Sequence, residues 1–362
     1  MTRVMILLWL GLLLWPVSAQ QMPPVITAAN IDDLAPVARI DFAETGLDTG
    51  WFVMNRTGTQ LVAHSAHEIF VWTVDAEGQV SKPISYTTKS ATLIAAAFAA
   101  DDTLYGALQG PDLRLVKIGT TITPIRTLKG WSLVSLWADE DSLWAEAFSS
   151  DGQEVILHIP YDETKSLAIL PYAPAQDIEA VVRIGRIAPP YTVTSTDAGR
   201  VTVWDLPTGK ALLSVDTGTG EAAVFGALNT PATHLVWRDA RSQALYWLDL
   251  KTGQNRVMDR LNGDYVQWFF LTPAADVIIG IDRGFSQHVN AWKVDQSGAM
   301  LDLGAYRSCT RPQPDMAALS ADGTTLVMGC DTGLDIWRIN VTYSPHLKAI
   351  HYPQVGEGLN MG

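Results

Sequence analysis

Val201-Thr202-Val203-Trp204 is a short run of β-favouring residues that ends in tryptophan, and the fold can be recognised from it. Four other segments share this form: Ile69-Phe70-Val71-Trp72, Ala244-Leu245-Tyr246-Trp247, Val289-Asn290-Ala291-Trp292 and Leu334-Asp335-Ile336-Trp337. Successive gaps from Trp204 onward are 43, 45 and 45 residues. The interval from Trp72 to Trp204 is 132 residues, three times 44, so two less regular units are expected between them.

Leu113-Arg114-Leu115-Val116 and Glu154-Val155-Ile156-Leu157 fill that interval at gaps of 44, 41 and 47 residues. A period of about 40–45 residues with several short strands per period is typical of a β-propeller, in which sheets stand as blades around a central axis. We therefore expect an all-β, seven-bladed β-propeller of four-stranded antiparallel blades. The strands of each blade are called A (innermost) to D (outermost), and the repeated segment is strand C.

The N-terminal segment is expected to close the ring. Blade seven is expected to begin at Met316, and it has no convincing strand D after its strand C at Leu334–Ile339. Residues 36–42 have strand character but no partner before blade one, which begins at Trp51. We therefore expect residues 36–42 to be the outer strand of the last blade, because this pairing protects sheet edges that would otherwise be exposed.

Turn residues recur at the same phase of the repeat. The hairpins Leu206-Pro207-Thr208-Gly209-Lys210 and Leu250-Lys251-Thr252-Gly253-Gln254 both follow a strand C, and glycine supplies the positive φ that such turns need. Alternate connections must lie on the same side of an antiparallel blade. The B–C turns and D–A loops therefore share one side of the propeller, here called the channel face, and the A–B and C–D turns share the opposite side, here called the A–B face.

Two segments resemble a known family. Thr194–Asp205 reads Thr-Ser-Thr-Asp-Ala-Gly-Arg-Val-Thr-Val-Trp-Asp and resembles the core of a WD repeat, and Ser320–Leu326 resembles the A–B turn of that family. The resemblance spans about residues 36–342 and is to exported bacterial WD-repeat-like propellers. It implies a protein-interaction scaffold. Only blade four keeps the Trp-Asp pair, and no blade has a convincing Gly-His pair, so lactonase-like and quinoprotein-like propellers remain alternatives.

The first residues have the form of a secretory signal peptide. Arg3 is followed by the apolar run Val4–Trp15 and the small-residue site Val17-Ser18-Ala19. We expect cleavage after Ala19, with an uncleaved anchor as the alternative, and no membrane contact of the mature chain. The expected divisions are a signal peptide at 1–19, the propeller at 20–342 and a tail at 343–362. The expected location is secreted or periplasmic.

Composition and missing motifs narrow the function. The net charge is −13, which disfavours nucleic-acid binding because that requires a basic surface. There is no Gly-x-Ser-x-Gly elbow, phosphate-binding loop, CxxC pair or haem-attachment spacing. The sequence therefore favours a non-enzymatic protein without a cofactor that binds one or more protein partners. A propeller enzyme, or a binder of small ligands or metal at an acidic channel face, is the alternative.

Acidic residues recur in the expected B–C turns. They are Asp112, Asp151, Asp197, Asp239, Asp282 and Asp331. One interpretation is a site for a cation or cationic ligand. The interpretation we favour is that each aspartate caps the backbone N–H groups of its own turn. In either case the channel face is expected to be electronegative and to attract basic partners.

The long loops carry further candidates. Phe285, Tyr306, Arg307 and Arg311 lie in expected D–A or B–C loops, and Tyr and Arg dominate binding hot spots. Cys309 in the loop before blade seven and Cys330 at the end of its strand B should reach the same side of the propeller. We expect a disulfide between them, with two unpaired thiols as the alternative.

Two histidines lie close together in the first B–C loop. His64, His67 and Glu68 contain types of zinc ligand, but a zinc site needs a complete set of ligands in defined geometry. The interpretation we favour is a solvent-exposed loop, and no metal is predicted. The repeated tryptophans are likewise interpreted as packing between blades, because a position found in most blades serves what every blade needs.

Overall fold

The computed structural model describes residues 22–45, 47, 52–65, 67–88, 91–162, 164–171, 181–183, 191–196, 199–216, 223–239, 244–260, 266–282, 288–295, 300–305, 312–330 and 332–339. These residues form seven antiparallel sheets of four strands each, which confirms the expected seven-bladed propeller. Each segment expected to be a strand C is the third strand of its sheet.

The first four blades are consecutive along the chain. Blade one consists of β2 (Phe52–Met54), β3 (Gln60–His64), β4 (Glu68–Thr73) and β5 (Ile84–Thr87). Blade two consists of β6 (Thr92–Phe98), β7 (Leu104–Gln109), β8 (Leu113–Ile118) and β9 (Ile122–Leu128). Blade three consists of β10 (Trp131–Ala138), β11 (Ser142–Ser149), β12 (Glu154–Pro160) and β13 (Ala168–Pro171). Blade four consists of β14 (Val181–Arg183), β15 (Tyr191–Thr196), β16 (Arg200–Asp205) and β17 (Lys210–Asp216).

The last three blades complete the ring, and blade seven takes its outer strand from the start of the chain. Blade five consists of β18 (Ala223–Leu228), β19 (His234–Asp239), β20 (Ala244–Asp249) and β21 (Asn255–Arg260). Blade six consists of β22 (Val266–Leu271), β23 (Val277–Asp282), β24 (His288–Lys293) and β25 (Met300–Ala305). Blade seven consists of β26 (Pro312–Leu319), β27 (Leu326–Cys330), β28 (Gly333–Ile339) and β1 (Leu34–Asp41).

Ring closure by an N-terminal strand is confirmed. β1 pairs antiparallel with β28, and Pro36 lies opposite Trp337. The Arg39 guanidinium binds the Asp335 carboxylate at 2.8 Å across this pair. Two boundaries differ from expectation: β26 begins at Pro312 rather than Met316, and Phe42 lies in a short 3-10 turn after β1. β26 begins earlier because Pro312 already pairs with Cys330, with a register shift before Ala317.

The closing segment extends further along the chain than the outer strand. Residues 25–33, here called the strap, lie across the A–B face of blades six and seven. The Ile26 N–H donates to the Gly323 carbonyl at 2.8 Å, and the Ala28 N–H donates to Asp276 Oδ2 at 2.8 Å. Ile26 and Ile31 are fully buried in the core between blades six and seven. The chain start is therefore fixed to two blades, whereas the sequence predicted contact with one.

The core is divided among the junctions between blades. Apolar clusters of described residues fill the spaces between successive blades, such as the cluster between blades two and three that contains Leu115, Leu143 and Leu157. Strand residues alternate in direction, so one set packs against the preceding blade and the other against the following blade. The core thus consists of separate apolar clusters between neighbouring blades, arranged around the central axis.

One tryptophan of the repeat, Trp247, packs against a different neighbouring blade from the others. Trp72, Trp292 and Trp337 pack toward the preceding blade. Trp247 packs toward the following blade, and its indole N–H donates to the Ala275 carbonyl there at 3.2 Å. Leu248 packs toward the preceding blade instead. A shift of one residue in a strand reverses the direction of a side chain, and this explains the 43-residue gap before Trp247.

Candidate interaction surface

Most of the residues singled out in the loops lie outside the described part of the chain. They are Asp197, Phe285, Tyr306, Arg307, Cys309, Arg311 and Asp331. Asp282 and Cys330 are the last residues of β23 and β27, and only their backbone is described. The expected Cys309–Cys330 disulfide and the binding roles of these loop residues therefore remain predictions.

The other three acids of the expected B–C turns have different environments. Asp112 and Asp151 are exposed at the channel face, whereas Asp239 is fully buried at the end of β19. The Ser149 hydroxyl donates to Asp151 Oδ1, and this hydrogen bond is the main reason why the pKa of Asp151 is lowered. Asp151 is thus stabilised within its own turn, mainly by a side-chain hydroxyl rather than by the backbone N–H groups that the capping interpretation named.

Carboxylates are equally prominent in the turns of the A–B face. Asp101, Asp162 and Asp249 each accept hydrogen bonds from backbone N–H groups of their own turns, and the pKa of each is lowered mainly by side-chain or backbone hydrogen bonds of this kind. Asp75 accepts from the Gln79 N–H at 2.6 Å in the same way. Negative charge therefore does not single out the channel face, because aspartate serves as a turn cap on both sides.

His64, His67 and Glu68 were singled out in the first B–C loop. Among the described residues there is no group of three or more His, Cys, Asp or Glu side chains placed to hold a metal ion. His64 Nδ1 lies 2.9 Å from the Ser65 carbonyl, and burial lowers the pKa of His64. His67 is exposed to solvent as expected, whereas His64 and Glu68 are partly buried.

Blade three presents apolar side chains at the channel face. Val134 lies at a bulge in β10, the innermost strand, and 49% of it is exposed. Phe148, near the end of β11, is 38% exposed, and Trp131 at the start of β10 is partly exposed. Phe148 pairs with Ser132, two residues before Val134, so Val134 and Phe148 lie near each other on the inner strands, whereas Trp131 packs against blade two. We call Val134 and Phe148 the blade-three patch.

The blade-three patch was not predicted from the sequence. The predicted site residues were mainly polar residues of loops, and Phe148 has the pattern of an ordinary core residue of strand B. One signal was present in β11, where Trp144, Glu146 and Phe148 alternate with Leu143, Ala145 and Ala147. The second set packs against blade two, so the first set points away from it and includes a charged residue. That combination indicates a face that is not wholly buried.

Met22 and Val25 are exposed before β1, and the other large exposed apolar residues of the described chain lie on outer strands. They are Ile84 in β5, Ile169 in β13, Leu212 in β17 and Val257 in β21. Each is a single side chain on a different blade, which is normal for a protein surface. Within the described strands, the blade-three patch is thus distinguished by its place on the inner strands and at the channel face.

Comparisons with known proteins support the architecture. No protein-family model matches this chain, and no curated protein matches it. A chain in the crystal structure of the mitotic checkpoint complex aligns over 85% of this chain and 95% of its own length, with 17% identity and a TM-score of 0.58. The solved structural neighbours are WD40 β-propellers.

A second solved structure gives a similar result. The β-propeller domain of Myceliophteria thermophila Cps50 (Swd1) aligns over 81% of this chain and 97% of its own length, with 14% identity and a TM-score of 0.55. At such identities the similarity concerns the fold alone. Function has to be argued from the surface of this chain.

Among the described residues, no helix has the length and apolar character needed to cross a membrane. The expected signal peptide at 1–19 and the expected tail at 343–362 lie outside those residues.

Proposed function

We propose that this protein is a non-enzymatic, exported β-propeller that acts as a scaffold for a protein partner, and that the partner binds the channel face at blade three. The observation that carries the proposal is the blade-three patch, because Val134 and Phe148 expose apolar surface on the inner strands. Aromatic and apolar side chains are typical of the centres of protein interfaces. Export is supported by the signal-peptide form of residues 1–19.

The surroundings of the patch match an interface. Asp112, Asp151 and Lys129 are exposed in channel-face turns of blades two and three, so charged side chains share that face with the patch. Interfaces that form and dissociate commonly combine an apolar centre with polar surroundings. The closed ring of blades holds these residues on rigid strands, which reduces the entropy lost on binding.

A cross-linking experiment with matched variants tests the proposal. The mature chain is cross-linked in an extract of the compartment from which the protein comes, and partners are identified by mass spectrometry. Phe148→Ser and Val134→Ser should reduce recovery of a specific partner at least tenfold, the equivalent of about 1.4 kcal/mol. Ile169→Ser and Val257→Ser are the controls, because they remove comparable exposed apolar side chains from outer strands.

The control variants should leave recovery unchanged. The proposal is wrong if the mature chain recovers no specific partner, or if all four variants behave alike. Turnover of a small substrate by a chain that has no partner would support the alternative of a propeller enzyme. No observation in the described part of the chain favours that alternative specifically, since Asp112 and Asp151 stand in separate turns and Asp239 is buried.

A further inference from the structure

Among the described residues, the junction between blades three and four contains few apolar side chains. Its apolar cluster holds Trp144 and Ile156 of blade three and Leu206 of blade four. The described residues of the junction between blades two and three include long rows of aliphatic side chains from both blades. The side chains of β14, the innermost strand of blade four, lie outside the described residues.

Blade four presents hydroxyl groups to this junction. In β15, Val193 packs toward blade five, so the alternating residues Thr192, Thr194 and Thr196 point toward blade three. All three are almost fully buried. The Trp204 indole N–H donates to Thr194 Oγ1 at 2.8 Å, which leaves the hydrogen of that hydroxyl available to a further acceptor.

The threonine at position 192 replaces an aliphatic residue of the repeat. Thr192 lies in strand B and is paired directly with Trp204 of strand C. The other blades have an equivalent pair of residues in strands B and C. Where that strand C residue is Trp72, Trp292 or Trp337, the strand B residue is aliphatic and fully buried: Leu61, Ile278 and Leu326, respectively. Opposite Trp204 it is Thr192. Blade four thus has a hydroxyl where three other blades have a core aliphatic side chain.

Blade three also has polar groups on the side that faces blade four. Trp144 lies in the same strand as Glu146, on the same side of the sheet, and Leu206 of blade four packs against Trp144. The Ser135 hydroxyl donates to Glu146 Oε2 at 2.8 Å. The Trp144 ring stacks on His158, with ring centroids 4.3 Å apart. This side of blade three is therefore aromatic and polar rather than aliphatic.

Two of these facing groups have no hydrogen-bond partner among the described residues. They are Trp144 Nε1 and Thr192 Oγ1, and both atoms are buried. Trp144 is the third residue of β11 and Thr192 the second of β15, so both lie at the A–B end of strand B in adjoining blades. An unpaired buried polar group costs on the order of 1–3 kcal/mol, whereas a shared water removes that cost for both groups at once.

We propose that the junction between blades three and four holds a bound water molecule that accepts a hydrogen bond from Trp144 Nε1 and shares another with Thr192 Oγ1. Trp144 Nε1 and Thr192 Oγ1 supply two of the two to four polar partners that a buried water requires, and the Thr194 hydroxyl on the same side of β15 carries a further donor. It substitutes for the aliphatic contact that Leu61, Ile278 and Leu326 make in their own blades. The site takes a small neutral molecule that both donates and accepts hydrogen bonds.

A crystal structure of the mature protein at about 1.5 Å resolution tests this site directly. The proposal expects one ordered water within about 3.2 Å of both Trp144 Nε1 and Thr192 Oγ1. It is overturned if the two atoms are too far apart to share a water, if the space between them is empty, or if a side chain of this protein fills it.

A double-mutant cycle tests the same site in solution. Thr192→Val replaces a hydroxyl by a methyl group at nearly constant shape, and Trp144→Phe removes the indole N–H together with part of the buried ring, which leaves a cavity. If both bind one water, the two substitutions are coupled, with the unfolding equilibrium constant of the double variant differing at least twofold from the product of the single effects. Additive effects would mean two separate unpaired groups and would overturn the proposal.

Trp337→Phe supplies the matched control for that cycle. Trp337 Nε1 is also buried without a partner among the described residues, but it lies among aliphatic side chains of the blade six–seven junction. Combined with Thr192→Val, this substitution should be additive, because the two residues share no water. The test does not depend on the proposed function, since it is read from stability and not from partner binding.

Discussion

At the residue scale, Arg338 is the side chain that most directly joins the two ends of the ring. It is almost fully buried, its Nε donates to Thr325 Oγ1 at 3.0 Å, and its guanidinium also donates to the carbonyls of Gly58 and Asp75. Thr325 belongs to blade seven, whereas Gly58 and Asp75 belong to turns of blade one. One charged side chain thus satisfies buried carbonyls of the blade that begins the ring.

Arg338→Met should therefore destabilise the protein strongly. The substitution keeps the length of the apolar stem and leaves two carbonyls without their donor, so we expect a loss of about 2–3 kcal/mol in the free energy of unfolding. Denaturant titration measures this loss. Arg256→Met is the control, since Arg256 is exposed and lies over the Trp247 ring at 5.3 Å, and it should cost about 1 kcal/mol or less. Equal losses in both variants would contradict this role for Arg338.

Histidine protonation should weaken the fold below neutral pH. Burial lowers the pKa of both His64 and His234 from 6.5, so the unfolded chain binds protons that the folded chain does not. Stability contributed by these groups is present above the unfolded pKa and is lost as pH falls below about 6.5. Histidine titration by NMR should give both pKa values below 6.5. Values at or above 6.5 for both would show that their surroundings do not disfavour the charged form.

The residues of the candidate surface were only partly predictable. Capping of its own turn was predicted for Asp151 through backbone N–H groups, whereas its main partner is the side-chain hydroxyl of Ser149. The exposure of Phe148 depends on which direction β11 faces and on how closely blade four approaches, and neither is written in the local sequence. The buried state of Asp239 has the same origin, because residue type alone predicts an exposed carboxylate.

At the element scale, the turns show two different reasons for glycine. Gly58 and Gly209 both have positive φ, +67° and +63°. A Cβ at Gly58 would lie 2.5 Å from Thr325 of blade seven, whereas a Cβ at Gly209 would meet nothing within 4 Å. The first glycine is needed for a close approach between blades as well as for its backbone conformation, and the second for its conformation alone.

Alanine at these two positions separates the two effects. Gly209→Ala should cost about 1–2 kcal/mol, the usual penalty of a left-handed conformation for a residue with a Cβ. Gly58→Ala should cost more, because the junction between blades one and seven must also move apart. Thermal unfolding of the two variants checks the order. A smaller loss for Gly58→Ala than for Gly209→Ala would contradict the close packing at that junction.

The strap should contribute to stability in its own right. Ile31 is fully buried between blades six and seven, and Asp32 and Lys293 form an ion pair at 3.1 Å beside it. Ile31→Ala should cost about 2–4 kcal/mol in unfolding free energy and should increase hydrogen exchange in blade six as well as blade seven. Met22→Ala is the control, because Met22 is 81% exposed. An Ile31 variant as stable as the control would show that the strap is not part of the core.

The location of the strands was more predictable than the direction in which their side chains point. The recurrence of β-rich tryptophan segments located all seven C strands, including Leu113–Val116 and Glu154–Leu157, which have no tryptophan. The direction of Trp247 was missed, since a one-residue change of gap reverses a side chain while the strand remains in place. The strap was missed because Val25–Asp33 has no strand pattern and acts through two isoleucines and a few hydrogen bonds.

At the scale of the whole molecule, one ring accounts for most of the observations. Blade count, strand order and closure follow from a period read in the sequence, because a propeller repeats one hydrophobic requirement in every blade. The interaction surface does not repeat, so periodicity carries no information about it. The blade-three patch and the hydroxyl-lined junction beside it are both departures from the repeat, and departures of this kind are where function is to be sought.

Ring closure is tested most directly by a disulfide between β1 and β28. Arg39 and Asp335 are paired across these strands and 296 residues apart in sequence. In a Cys309→Ser, Cys330→Ser background, Arg39→Cys with Asp335→Cys should oxidise to a monomer with an internal cross-link and a raised Tm, since the bond closes a very long loop. Ala35→Cys with Asp335→Cys is out of register and should not cross-link. Failure of the first pair, or equal reaction of both pairs, would contradict the closed seven-bladed ring.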